Sequence, residues 1–280
     1  MSTFVKRWPT WLILTLGFAF LYLPILVLMF YSFNENKLAT VWSGFSFKWY
    51  GKLLQNDQML GAAWVSIKIA FFTATAAVIL GTLAALVMTR MRRVPGKTLF
   101  GALITAPLVM PEVILGLSIL MMFMSLGSLV GLAPRGILSI WIAHVTFTLA
   151  FVTVVISSRM AELDKSLEEA AMDLGANRVK VFFQITLPII APALVSGWLL
   201  AFTLSLDDVV IASFVSGPGS TTLPIKVFSS VRRGLNPEIN AVATIMVMVV
   251  ALGAVAAWRW MRHEERHRQR DMQLALQDNG

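Results

Sequence analysis

The sequence predicts an all-α membrane protein with six transmembrane helices, and two observations predict it. Of 280 residues, 57% are hydrophobic and only 14% are charged, whereas a soluble domain carries about a quarter charged residues. One core cannot hold that surplus, so much of it faces lipid. The apolar residues also gather into six stretches, each close to the ~20 residues that cross a bilayer core of ~30 Å.

The stretches cover residues 11–33, 64–89, 99–126, 136–158, 189–214 and 239–261. The first follows Lys6 and Arg7. It is too long for the apolar part of a signal peptide and has no small-residue cleavage site, so it reads as a retained span anchored by Trp8 and Trp11. The third holds Pro107 and Pro111, each lacking a helical N–H, which predicts a kink. The fourth carries His144. With no second histidine or carboxylate one turn away, it reads as a packing residue, and no metal site is indicated. The fifth ends near Asp207 and Asp208, and the sixth precedes a polar tail at 262–280. Residues 1–261 read as one transmembrane domain. The aromatics Trp42, Trp49 and Tyr50 in the first loop read as an interfacial belt in preference to a substrate cage.

Loop charge sets orientation. With the N-terminus inside, the inner segments hold Lys6, Arg7, Arg90, Arg92, Arg93, Lys97, Arg159, Lys165, Arg178, Lys180, Arg259, Arg262, Arg266, Arg268 and Arg270. The outer ones hold Lys37, Lys48, Lys52, Lys68, Arg135, Lys226, Arg232 and Arg233. The excess places both termini in the cytoplasm. The net charge of +8 is thus distributed between apolar runs, which argues against nucleic acid as a partner. There is no cysteine, hence no disulfide framework or thiol nucleophile. No phosphate-binding glycine loop appears, nor a nucleophile elbow or zinc-protease helix.

The loop 159–188 is the most informative stretch. Ser166 followed three residues later by Glu169 reads as a capping box, and Gly175 as the C′ residue that ends the helix. Between them Leu167, Ala170, Ala171 and Leu174 share one face, and Asn177 caps a second helix. Such a helix lies either on its own protein or the membrane surface, or docks into a groove of a soluble partner.

Glu169-Ala170-Ala171, Gly175, Ile185 and Leu187-Pro188, with their spacing, resemble the signature of binding-protein-dependent ABC permeases. Phe30 to Asn34, Trp49-Tyr50-Gly51, Ala106 to Glu112, and Leu204 to Asp208 narrow the likeness to polyamine permeases. It extends from about residue 11 to residue 261. The resemblance implies a type I importer (MetI-like) fold in the bacterial inner membrane. It implies a heterodimer with a second permease subunit, two ATPase subunits that bind ATP and Mg, and a periplasmic polyamine-binding protein. This chain would be a non-catalytic subunit without a cofactor of its own. The helix containing Ser166, Leu167, Glu169, Ala170, Ala171, Leu174 and Gly175 would couple to the ATPase, with Glu169 bracing it.

Glu112, Asp207 and Asp208 lie within apolar spans, where carboxylates normally face the bundle interior, a cavity or a partner charge. At 1.5 Å per residue, Glu112 is roughly 20 Å and Asp207 roughly 27 Å from the inner end of a straight span. A polyamine is a string of ammonium groups on an apolar chain. Carboxylates suit its ends, and Phe202 and Phe214 are candidate aromatics for its methylenes. Adjacent helical residues point ~100° apart, so Asp207 and Asp208 are not expected to face the same path. Intramembrane carboxylates speak against sulfate, while iron and thiamine are alternative cargoes. A membrane enzyme would need a richer cluster of catalytic groups. A channel without ATP gives no reason for the alanine-rich helix.

Overall fold

The computed structural model describes residues 8–37, 41–91, 94–131, 134–232 and 237–278. Lys6, Arg7, Arg92, Arg93 and Arg233 of the loop-charge count lie outside the described residues. The helices are α1 Trp8–Tyr31, α2 Lys48–Leu54, α3 Asp57–Arg90, α4 Lys97–Val109, α5 Glu112–Val130, α6 Ile137–Glu162 and α7 Lys165–Asp173. There follow α8 Arg178–Val181, a π-helical turn Phe182–Thr186, α9 Leu187–Leu206, α10 Val210–Val215, α11 Leu223–Arg232 and α12 Glu238–Asp278. Five helical segments are long and apolar enough to cross a membrane. The pair α4 and α5, bent by 116°, makes a sixth if counted as one broken span. The stretch 99–126, read as one span, is therefore two helices. The stretch 189–214 breaks between α9 and α10, and the tail at 262–280 continues α12 as far as Asp278.

The chain divides into two compact units, Met1–Leu60 with Val227–Leu252, and Gly61–Lys226 with Gly253–Gly280.

In the first unit, α1 exposes every side chain from Pro9 to Val27, as an all-apolar helix in lipid does. The loop after it is built on Asn34, which is fully buried. Its Nδ2 donates to Val41 O at 2.7 Å, its Oδ1 accepts from Ser43 N at 3.0 Å, and its backbone O accepts from Trp49 Nε1 at 2.6 Å. Ser32 Oγ bonds Tyr50 Oη at 2.7 Å, and Phe33 stacks on Phe45 with centroids 5.0 Å apart. The motifs at 30–34 and 49–51 thus come together. This corrects the interfacial-belt reading for Trp49, whose indole is buried.

In the second unit, α6 is the central helix and packs on α9 and α3. Small residues set the spacing, as expected where helices associate without a hydrophobic drive. A Cβ on Gly81 would lie 3.0 Å from Val152 Cγ1, and one on Gly197 would lie 3.4 Å from the same atom. Ala74, Ala77, Ala85, Val152, Ile156, Met160, Ile190 and Ala201 form one buried cluster here. Hydroxyls in the spans fold back on their own helices. Thr82, Thr89, Thr148 and Thr153 each donate to the carbonyl four residues earlier, which satisfies them without water.

Candidate functional site

The two breaks in the spans carry the candidate acidic residues, and each break has a local cause. Before Pro111 the α conformation is disfavoured. Met110 is accordingly extended at φ −83°, ψ 135°, which ends α4. Pro111 then starts α5, accepting from Ile114 N at 3.0 Å and Leu115 N at 3.1 Å. Glu112 is left exposed in the first turn of α5, where unpaired N–H groups and the helix dipole favour an anion. The kink expected from the prolines is thus a full break. The depth estimated for Glu112 along a straight span does not apply.

The second break lies at Asp207–Val209, and Asp208 makes it. One carboxylate oxygen of Asp208 accepts from Ile211 N at 3.2 Å, and the other accepts from Ala212 N at 2.7 Å. These are orphan donors at the start of α10. Its Oδ2 also meets His144 Nε2 at 3.0 Å, and His144 Nδ1 meets Ser205 Oγ at 2.7 Å. All three side chains are buried. The oxygens of Asp208, a candidate for the substrate path, are thus engaged inside the protein. Asp207 is exposed beside it, and α10, which follows, packs against α5, which Glu112 starts. Two of the three carboxylates, Glu112 and Asp207, therefore present themselves at helix breaks.

Phe214 and Phe202 pack against apolar neighbours. Phe214 is partly buried against the cluster of Ile69, Leu115, Phe147 and Ile211, and its ring would lie 2.8 Å from a Cβ on Gly116. Phe202 stacks on Trp198 with centroids 5.1 Å apart, and Trp198 Nε1 donates to Thr75 Oγ1 at 3.2 Å.

The second candidate surface is α7. Its N-cap is Asp164, whose Oδ1 accepts from Ser166 N at 3.0 Å, so Ser166 lies inside the helix. This corrects the capping box: Asp164 takes the N-cap position, and the helix starts one residue before Ser166. The N–H of Ser166, and then its side chain, hold the Asp164 carboxyl below its ordinary pKa. The C-terminus is as expected. Gly175 has φ +87°, its N–H donates to Met172 O at 2.9 Å, and Ala176 N donates to Ala171 O at 3.0 Å. That pair of bonds is a Schellman motif. The face read from the sequence is open: Leu167 and Ala170 are exposed, Ala171 is half-buried, and Leu174 is 91% exposed. Asn177 caps α8 by accepting from Lys180 N at 2.8 Å.

The contact that ties α7 to the rest of its unit is made by the neighbour of Glu169. Glu169 is exposed. Glu168 accepts from Arg90 Nε, at the end of α3, at 3.0 Å on Oε1 and 2.9 Å on Oε2, and from Thr186 Oγ1 at 2.9 Å. His144 is the packing residue that the sequence leads one to expect, hydrogen-bonded to Ser205 and Asp208, while Arg90, Glu168 and Thr186 are not singled out by the sequence as site residues. An ionisable residue in a span pairs with another. That rule, applied between spans rather than along one helix, finds His144 with Asp208.

Residues 77–269 match the family model described as the binding-protein-dependent transport system inner membrane component. The chain is 61% identical over 264 residues to the putrescine transport system permease protein PotI of Escherichia coli (strain K12), covering 94% of each. It is 43% identical to the spermidine/putrescine transport system permease protein PotC of Haemophilus influenzae, over 89% of this chain and 95% of that one. Among solved structures it resembles a bacterial ABC transporter involved in the import of alginate. The TM-score there is 0.72 at 17% identity, with 92% of this chain and 96% of that one covered. It also resembles the MetNI methionine ABC transporter in an inward-facing conformation, at a TM-score of 0.59 and 16% identity over 78% and 98% of the two chains. These two likenesses carry the fold alone.

Proposed function

This chain belongs to the family of inner membrane components of binding-protein-dependent transport systems, and from that premise we propose that it moves polyamines, with putrescine as the first candidate. A transport component is not itself an enzyme. The observation that carries the cargo is the 61% identity to a putrescine permease along 94% of both chains. The geometry supports it, because Glu112 and Asp207 are exposed at helix breaks, Glu112 at the start of α5 and Asp207 just past the end of α9. Two carboxylates suit a cation with an ammonium group at each end, and they are adverse to an anion such as sulfate.

On this reading the chain pairs with a second permease subunit. A periplasmic polyamine-binding protein delivers the cargo, and two ATPase subunits bind ATP and Mg and hydrolyse the nucleotide. The α7 face of Leu167, Ala170, Ala171 and Leu174, closed by Gly175, is the surface on which an ATPase subunit docks. Both termini then lie on the cytoplasmic side. The spans alternate between outward-facing and inward-facing arrangements, and Glu112 with Asp207 attracts the cation and releases it.

The test is expression of the complete transport operon in cells lacking other polyamine importers. Uptake of labelled putrescine and spermidine is measured, and an ATPase subunit is sought by co-purification with this chain. Saturable putrescine uptake with the ATPase bound is the expected result. Uptake of neither polyamine above the level of empty cells would sink the cargo assignment.

A further inference from the structure

The Glu168 carboxylate joins the ends of three elements, one of which, α3, also packs on α9 along its length. It sits on α7, it accepts from the last residue of α3, and it accepts from the last residue of the π turn that leads into α9. Arg90 and Glu168 are 14% and 15% exposed, and Thr186 is buried. The rest of α7 is turned outward. Around the carboxylate, charge-assisted bonds in a poorly hydrated setting are stronger than the same bonds at a surface.

The contact is also incomplete. Arg90 holds Glu168 through Nε, and its two terminal guanidinium nitrogens are buried with no hydrogen-bond partner among the described residues. Buried donors left unpaired are costly. They leave open a two-point fork with a carboxylate, the geometry guanidinium favours. The adjacent π turn has the same character: it opens the α-helical register at the entrance of α9, and such turns recur where helices adjust.

Resting on the importer reading above, we infer that Glu168 is the joint through which displacement of α7 is passed to α3 and α9, with Arg90 and Thr186 as its two sockets. It is a positioning residue and touches no substrate. The glutamate of the family signature, Glu169, is left exposed on α7 for the partner.

The test uses the assembled complex with Glu168→Gln, Arg90→Glu, Glu168→Arg and the double exchange Arg90→Glu/Glu168→Arg. Complex yield, ATP hydrolysis and polyamine uptake are measured together. The single variants are expected to keep the ATPase subunit bound and hydrolysis within threefold, while uptake per ATP falls at least tenfold. The double exchange is expected to recover uptake per ATP to within threefold. The joint is overturned if Glu168→Gln leaves uptake per ATP within twofold. It is equally overturned if yield, hydrolysis and uptake fall in proportion in every variant, as a purely structural tie requires. Absence of the ATPase subunit from the unsubstituted complex is a separate outcome, which overturns the importer reading and the joint with it.

Discussion

His144 Nε2 lies 3.0 Å from Asp208 Oδ2, and the two side chains are 1% and 5% exposed. The pair ties α6 to the start of α10 and fixes the break that leaves Asp207 outside. Removing the carboxylate strands the N–H groups of Ile211 and Ala212 together with the imidazole. Each buried polar group left unpaired costs about 1–3 kcal/mol. Asp208→Ala is therefore expected to lower the thermal midpoint of the purified chain by several degrees and to reduce its level in the membrane. Asp207→Ala, at an exposed position, is expected to leave both unchanged. Equal effects of the two substitutions on stability would contradict this division of roles.

The spans were legible because lipid imposes a minimum apolar length, and Pro107 and Pro111 marked the third as irregular. The angle at Met110 was not legible, because a proline announces a missing donor without saying how far the chain turns. The end of α7 was legible at Gly175, since a left-handed residue is a local requirement. Its start was misread, because Asp164 and Ser166 are both good caps and only the fold decides between them. Spacing along one helix could not reveal that Asp208 is engaged and Asp207 free. That difference depends on His144, 64 residues away in sequence. The same holds for Glu168, whose partners are Arg90 and Thr186.

Glu112 and Asp207 are expected to act on the cation. Glu112→Gln and Asp207→Asn preserve shape and remove charge, so each should cut putrescine uptake about tenfold, equivalent to about 1.4 kcal/mol. Membrane levels should stay normal. Uptake assays paired with immunoblots check this. Unchanged uptake in both variants would remove these residues from the path.

Gly116 is the contact between α5 and α10. A Cβ there would lie 2.8 Å from Phe214 Cδ2 and 3.2 Å from Ile211 Cα. The ring can rotate, but the backbone of Ile211 cannot yield without disturbing the bonds from Asp208. Gly116→Val is expected to destabilise the chain by about 1–3 kcal/mol, the usual cost of overpacking. Gly61→Val, where a Cβ meets nothing within 4 Å, serves as the control. Thermal unfolding followed by tryptophan fluorescence distinguishes the two.

Gly175 has room for a side chain, since a Cβ would meet nothing within 4 Å. Its constraint is the backbone, at φ +87°. A residue with a Cβ is strained there by about 1–2 kcal/mol, with asparagine the mildest. Hydrogen exchange of the α7 amides should therefore accelerate in Gly175→Val and Gly175→Ala, and least in Gly175→Asn. A flat series would mean that the left-handed turn is not what ends the helix.

The cap of α7 should depend on pH with a definite sign. Ser166 holds the Asp164 carboxyl below its ordinary value of 3.8. A group whose folded pKa is depressed stabilises the fold above its unfolded pKa, and that contribution is lost as pH falls through the folded value. Protection of the α7 amides should thus be constant from neutral pH down to the ordinary aspartate range, and should decline only below it. Asp164→Ala removes the acceptor at every pH. The difference in protection between the parent chain and Asp164→Ala should be present at pH 7 and vanish once the carboxylate is protonated. Exchange rates measured for the Ser166 amide across that range provide the check. A difference that persists undiminished at the acid end would show that Asp164 is not the cap.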